Sequence, residues 1–412
     1  KRQVLKQCTK KYPMLYYYAA YYEEKMGEDE AAKKSLEKAE SCAFDYCFPN
    51  KLDDIAVLTF AIENGCKKKA PYYLGNLFYD KLQWKKSVEL WEMSEKADDT
   101  FSIVHRNLAL AYYNKMGDSK AAKCELEKAF SLNRKDARIF LELDQLYKKL
   151  GYSFKERLAK YDEDPSLAES RDDLYIEYIT LMNMCGEYER AYRCIMGRRF
   201  HPWEGGEGKI TTQYTISLLE MAKQCLASEK YEQAEKLLKK ALVYPENLGE
   251  GKLEGTKDNH LFYHLGLALE AQGKHDEAKT CFETATIGTD EPAGAMYYND
   301  QPADMILYQG LAFEKLGKTR EAKSRFYRLI DYGEQHLNDE GKIEYFAVSL
   351  PDFLIFDEDY TKKNRAHCCY LMALGNIGLQ NREKAAEFLN EALEIEPSHM
   401  MATLYPVSYT HL

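Results

Sequence analysis

The stretch Phe-His-Pro-Trp-Glu-Gly-Gly-Glu-Gly at 200–208 brings together residue types from which a carbohydrate site is often built. Trp203 offers a ring face for stacking, while Glu204 and Glu207 offer two carboxylates for hydroxyl contacts or acid–base work. His201 adds a loop imidazole able to titrate near neutrality. A plainer reading uses the same residues: Gly205, Gly206 and Gly208 make a tight turn, Trp203 plugs a gap, and the carboxylates stabilise a helix N-terminus. Two further stretches carry polar and aromatic residues between glycines and prolines. Tyr-Pro-Glu-Asn-Leu-Gly-Glu-Gly-Lys-Leu at 244–253 adds Asn247, Glu250 and Lys252, and Tyr-Phe-Ala-Val-Ser-Leu-Pro-Asp-Phe at 345–353 adds Tyr345 and Phe346. These nine residues are the candidate binding set.

Other chemistries find no support in the pattern. No Walker loop, dinucleotide fingerprint or nucleophile elbow occurs. His260 and His264 stand one helical turn apart, but no third ligand follows at a recognisable spacing, so packed or surface histidines are expected and no metal site. No catalytic residue or cofactor is expected, and the segment is not expected to be an enzyme by itself. The eleven cysteines show neither metal spacing nor a small-domain disulfide pattern, which favours a reducing, cytoplasmic setting. Lys and Arg number 57 against 67 Asp and Glu, a formal charge of −10, which argues against a nucleic-acid partner. Lys67-Lys68-Lys69 reads as a solvated loop. No apolar stretch is long enough to span a membrane.

The elements that must position the candidate residues are helical. Leu265 and Leu269 recur at helical spacing around Gly266, Gly273 supplies a left-handed residue to end that helix, and Ala278, Phe282 and Ala285 form the stripe of a second. The same spacing returns at Gly310, Phe313, Gly317, Ala322 and Phe326. Gly75, Phe78, Leu82, Ser87 and Trp91 follow it. So do Ala109, Tyr112, Gly117, Ala122, Leu126 and Ala129, with one extra residue before the glycine. The first hairpin spans about residues 12–41, where a tyrosine run (Tyr16 to Tyr22) is expected to be core with its hydroxyls at the rim. Residues 52–62 form a helix without a clear first partner, and about nine hairpins are expected over the whole chain. The spacing resembles the tetratricopeptide repeat, which implies an all-α solenoid: a right-handed superhelix of antiparallel helix hairpins.

Connections lengthen along the chain. Residues 1–196 read as a short-loop half and 197–405 as a long-loop half. Residues 406–412 break the pattern and resemble translated sequencing-adapter read-through, a tail expected not to pack. Because the long loops leave the same corner of their hairpins, those at 200–209, 244–253 and 345–353 are expected on one edge, the usual binding face of such arrays.

The loop sequences at 200–208, 244–253 and 345–353 also resemble signatures of a bacterial family of unknown function. In that family a mutarotase-like β-sandwich precedes a tetratricopeptide array. The resemblance implies a carbohydrate-linked protein whose sandwich lies outside this chain. Three functions follow as expectations: a docking module for that sandwich or another protein through the loop-rich edge; donation of Glu204 or Glu207 to an active site shared with the sandwich; or a peptide-binding scaffold using the concave groove. Glu204, Glu207, Asn247, Glu250 and Lys252 are expected to form a polar rim around Trp203 and Phe346.

Overall fold

The computed structural model describes residues 12–203, 205–294, 301–341 and 355–405. Among these residues the regular elements are twenty-one α-helices, one π-helical turn and one 3-10 turn, without a strand. No described helix is long and apolar enough to cross a membrane. The chain divides into two compact units, one ending at Leu146 and the other beginning at Tyr147.

In the first unit, α1 (Pro13–Lys25) and α2 (Asp29–Ser41) form a hairpin around Gly27, which turns the chain at a φ of 75°. Pro13 opens α1 where its missing N–H is not needed. Ala20, Ala32 and Ala39 are buried at the contact, so the two backbones approach closely. Within the tyrosine run Tyr17 is buried and Tyr16, Tyr18, Tyr21 and Tyr22 are half-buried around it. Tyr17 donates to Glu40 at 2.5 Å and Tyr18 to Asp54 at 2.7 Å, while Tyr21 meets Phe60 edge-on. Helix α3 (Leu52–Glu63) packs on α1 and on α4 (Lys69–Asp80), which gives it the partners that sequence spacing did not supply. Helix α5 (Trp84–Ala97) pairs with α4, and α6 (Ser102–Ala111) with α7 (Ser119–Leu132). The extra residue before Gly117 has a structural counterpart. Tyr112–Met116 winds as a π-helix, which widens the turn and takes up the insertion before Gly117 ends it at a φ of 68°. Helix α8 (Ala137–Lys149) follows, and the division between the units falls within it.

The second unit begins with two short helices, α9 (Phe154–Glu163) and α10 (Pro165–Glu169). Hairpins follow: α11 (Asp172–Met184) with α12 (Tyr188–Met196), and α13 (Lys209–Ala227) with α14 (Tyr231–Ala241). The array continues with α15 (Asn259–Ala271) and α16 (His275–Ala285), then α17 (Met305–Lys315) and α18 (Thr319–His336). It closes with α19 (Tyr360–Gly378), α20 (Arg382–Ile395) and the one-turn α21 (Met400–Leu404). Cys368 and Cys369 are buried in α19, and the ten described cysteines are all free thiols.

One small-to-large contact recurs through both units. An added Cβ at Gly75 would lie 2.5 Å from Trp91, at Gly266 2.5 Å from Phe282, and at Gly310 2.2 Å from Phe326. Glycine on the first helix thus receives the aromatic ring sixteen residues later on the second. The absent side chain, rather than backbone freedom, is what the position requires. Truncating such a buried ring to alanine would cost about 3–5 kcal/mol, the usual range for a core aromatic.

Residues 400–405 start a helix, as their apolar pattern predicts, and it packs within the second unit. Leu404 joins Met184 and Ile216, with Met400, Met401 and Phe154 alongside, and the Tyr405 hydroxyl meets that of Tyr308 at 2.5 Å. The expected loose tail at 406–412 lies outside the described residues.

Candidate functional site

The loop between α12 and α13 is built on Asp172, the first residue of α11. Its carboxylate binds the Arg198 guanidinium and accepts the His201 backbone N–H at 2.8 Å. His201 Nδ1 lies 3.1 Å from the same carboxylate, with the ring mostly in solvent. Arg198 is sandwiched in the process: its guanidinium lies 4.6 Å from the Tyr175 ring centre and 5.4 Å from that of Phe200. Phe200 itself is buried.

Beyond Pro202 the chain makes the tight glycine turn of the plainer reading. Gly206 N–H donates to the Trp203 carbonyl at 2.9 Å, and Glu207 accepts the Gly205 N–H at 2.8 Å. The half-buried Trp203 ring lies directly on Gly206, whose Cβ would fall 2.2 Å from it, with Lys209 5.7 Å from the ring centre. Its own turn therefore covers part of Trp203 and leaves the rest open.

The second loop locks into the first. Phe200 N–H donates to the Asn247 carbonyl at 2.8 Å, and the Asn247 side-chain amide donates to the carbonyls of Ile195 (2.8 Å) and Arg198 (2.9 Å). Asn247 thus ties up carbonyls at the end of α12 that the helix leaves without partners. Gly249, at a φ of 73°, sits so close to the Phe200 carbonyl that a Cβ would be 2.5 Å from it. Glu250 accepts the Gly208 N–H at 2.8 Å. Burial raises the Glu250 carboxyl above its ordinary range, the Gly208 bond opposing and the Glu207 charge adding to the shift. Lys252 pairs with Asp258 at 2.5 Å and donates to the Leu242 carbonyl at 3.1 Å, its ammonium 5.0 Å from the Tyr244 ring centre.

The loops at 200–209 and 244–253 therefore meet, and their expected polar rim divides. His201 and Glu207 remain exposed. Asn247, Glu250 and Lys252 turn inward, because the backbone groups freed by glycine-rich turns need partners once the loops pack together. Glu204, Tyr345 and Phe346 lie outside the described residues, so the third loop's place at this edge is not among the observed contacts.

The same bracing device occurs at two other hairpins. Asn259 donates to the carbonyls of Ala285 (2.7 Å) and Ile287 (2.9 Å) at the end of α16. Asn364 donates to those of His336 (2.7 Å) and Asp339 (3.4 Å) at the end of α18. Each asparagine bridges two carbonyls where a second helix gives way to a long connection. Isolated asparagines carry no motif, and their common task emerges only with the chain folded.

Of the two histidines expected to be packed or at the surface, His264 is buried and His260 half-buried beside it. His264 Nδ1 donates to the His260 carbonyl at 2.7 Å, and both rings lie beside Tyr308. Burial, helped by the Lys223 charge, lowers each imidazole to about 3. Across this polar core Tyr370 donates to Asp304 at 3.3 Å, and burial pushes the Asp304 carboxyl up to about 6.

One set of metal-capable side chains was missed by sequence spacing. Glu95, His105 and Glu125 come from α5, α6 and α7, with donor atoms within 4.8 Å of one another. The available signal was a histidine on the otherwise apolar inner stripe of Val104 and Leu108, but its two acidic neighbours stand 10 and 20 residues away.

Residues 260–286 and 366–399 match one family profile described as tetratricopeptide repeat, and residues 304–332 match a second of the same description. These segments coincide with α15–α16, α19–α20 and α17–α18, and the first and last of these pairs hold the contacts Gly266–Phe282 and Gly310–Phe326. The architecture is an all-α tetratricopeptide-repeat solenoid. Among solved structures, the chain is similar to a tetratricopeptide repeat protein from Parabacteroides merdae, at 15% identity over 75% of this chain and 98% of that one, with a TM-score of 0.28. It is also similar to YrrB, described as a TPR protein with an unusual peptide-binding site (18% identity, 61% and 96% covered, TM-score 0.22). A third similarity is to Naa15/Naa10 bound to HypK-THB, at 14% identity, a TM-score of 0.34, and coverage of 96% of this chain and 55% of that one.

Proposed function

We propose that this chain is a non-catalytic helical-repeat scaffold that docks a protein domain on the braced loops at 197–209 and 244–252. The domain it docks is the β-sandwich that the loop resemblance places before the repeats. One observation carries the reading: two long loops are tied to each other by backbone and side-chain hydrogen bonds, while His201, Glu207 and part of Trp203 stay open. The preorganised backbone lowers the ordering cost of binding, and a partly open tryptophan beside polar residues is a composition that interfaces favour. An acid–base role gains no support from Glu207, whose carboxylate closes its own turn on Gly205.

Radical footprinting of Trp203 tests the proposal, comparing the present segment with the complete polypeptide carrying the sandwich. Docking predicts at least a threefold slower oxidation in the complete protein, restored by Trp203-distant substitutions on the sandwich face that separate the two. Equal labelling in both proteins refutes it. Sugar binding through Trp203 would instead protect the ring in the segment alone when a saccharide is added.

A further inference from the structure

The cluster in the first unit brings one imidazole and two carboxylates within reach of a single point. His105 is buried at the centre, with 1% of its side chain exposed. Its Nε2 lies 3.0 Å from the Asp99 backbone carbonyl, an acceptor only, so this nitrogen carries a proton. The other ring nitrogen, Nδ1, faces Glu125 Oε2 at 2.6 Å and Glu95 Oε1 at 3.9 Å. At these distances Nδ1 serves in one of two ways: as a second N–H donating to Glu125, or, deprotonated, as a lone pair open to a metal ion that the two carboxylates also reach.

We propose that Glu95, His105 and Glu125 form a binding site for a divalent transition-metal ion of the Zn2+ type, ligated by His105 Nδ1 and one oxygen from each carboxylate. The chemistry of the donor set suits it: one imidazole and two carboxylates are common zinc ligands, with a water completing the tetrahedron. Bonds of about 2.0–2.2 Å would place tetrahedral donors about 3.4 Å apart. The 2.6 Å contact must open and the 3.9 Å contact must close by modest amounts, which rotation of two glutamate side chains on separate helices provides. The hydrogen bond from Nε2 to a backbone carbonyl is the usual outer-shell arrangement, fixing the tautomer and the ring plane of a ligating histidine. Entry is open on the carboxylate side, where Glu95 and Glu125 retain 26% and 20% of their side-chain exposure.

Carboxylates flank the imidazole on both sides, an arrangement that attracts a cation to this point. Asp99 faces the Nε2 side, its carboxylate 3.6 Å away and paired with Lys128 at 2.6 Å. A bound ion would join three successive helices, α5, α6 and α7, the last two on either side of the π-helical turn at Tyr112–Met116.

The test uses the folded 412-residue chain, stripped with chelator and titrated with Zn2+ by calorimetry and with Co2+ by visible absorption. The expected result is one equivalent at micromolar affinity or tighter, with tetrahedral Co2+ bands lacking thiolate charge transfer. Glu95→Gln and Glu125→Gln should each weaken binding at least about tenfold. Glu95→Gln is the safer variant for folding, since its side chain is partly exposed. Absence of stoichiometric binding, thiolate charge transfer from the cysteines, or unchanged affinity in Glu95→Gln would each overturn the proposal.

Discussion

Replacing Asn247 by alanine should release the two long loops from each other without unfolding the hairpins. The substitution deletes two side-chain hydrogen bonds, to the Ile195 and Arg198 carbonyls, and leaves the backbone bond between Phe200 and Asn247 without its anchor. A neutral hydrogen bond contributes about 1 kcal/mol net, and a half-buried carbonyl left unsatisfied costs about as much again if water does not reach it. Partial access to water makes about 2 kcal/mol the expected loss, which corresponds to roughly a thirtyfold increase in loop opening. Hydrogen exchange followed by mass spectrometry reads this directly. Peptides containing Phe200 and Gly208 should exchange faster by that factor, while those from α15 and α16 stay as they were. Unchanged exchange at 198–208 would refute the reasoning, because some other contact would then hold the loops. Uniform acceleration throughout the second unit would refute it as well, since Asn247 would then be part of the core.

Gly310→Ala should destabilise the second unit by about 1–3 kcal/mol in urea unfolding, because the new methyl meets Phe326, and adding Phe326→Leu should recover part of the loss. Acidification should destabilise that unit through His264. Its folded value of about 3 lies below the unfolded value, so its contribution is present above about pH 6.5 and lost as pH falls through the folded value. By pH 5 this histidine alone should have cost about 2 kcal/mol, and His264→Gln should flatten the profile. Asp304 works in the opposite sense. Its carboxyl, raised to about 6, favours the fold below about pH 4 and loses that contribution as pH rises through 6, so Asp304→Asn should steepen the acid loss measured by denaturation at several pH values.

The fold was legible because the repeat states the same physical requirement several times. Gly273 and Gly317 fix where the first helices end, and Gly266 with Phe282 and Gly310 with Phe326 fix how closely the pairs pack. Even an irregularity could be read: the single extra residue before Gly117 becomes the π-helical turn at Tyr112–Met116. What spacing left open was the partner of α3, since the stretch after Pro49 lacks the pattern and its contacts to α1 and α4 follow from the packing of the whole unit.

The site was legible as a location more than as chemistry. Glycines and prolines announce long loops, and two of those loops do meet through Phe200, Asn247, Gly208 and Glu250. Sequence alone assigns a polar loop residue to solvent, since most such residues are exposed. A loop with many glycines, however, also has many backbone groups that helices do not satisfy, and packing it against another loop removes water from them. Side chains such as Asn247 and Glu250 are then drawn inward to serve the backbone, and the surface is left to residues whose neighbours make no such demand. His201 stays outside because Asp172 is already engaged by Arg198 and holds the loop mainly through the His201 backbone N–H. The residues available to a partner are therefore those left over after the loops have satisfied themselves, a set that depends on contacts between chain segments some 40 residues apart.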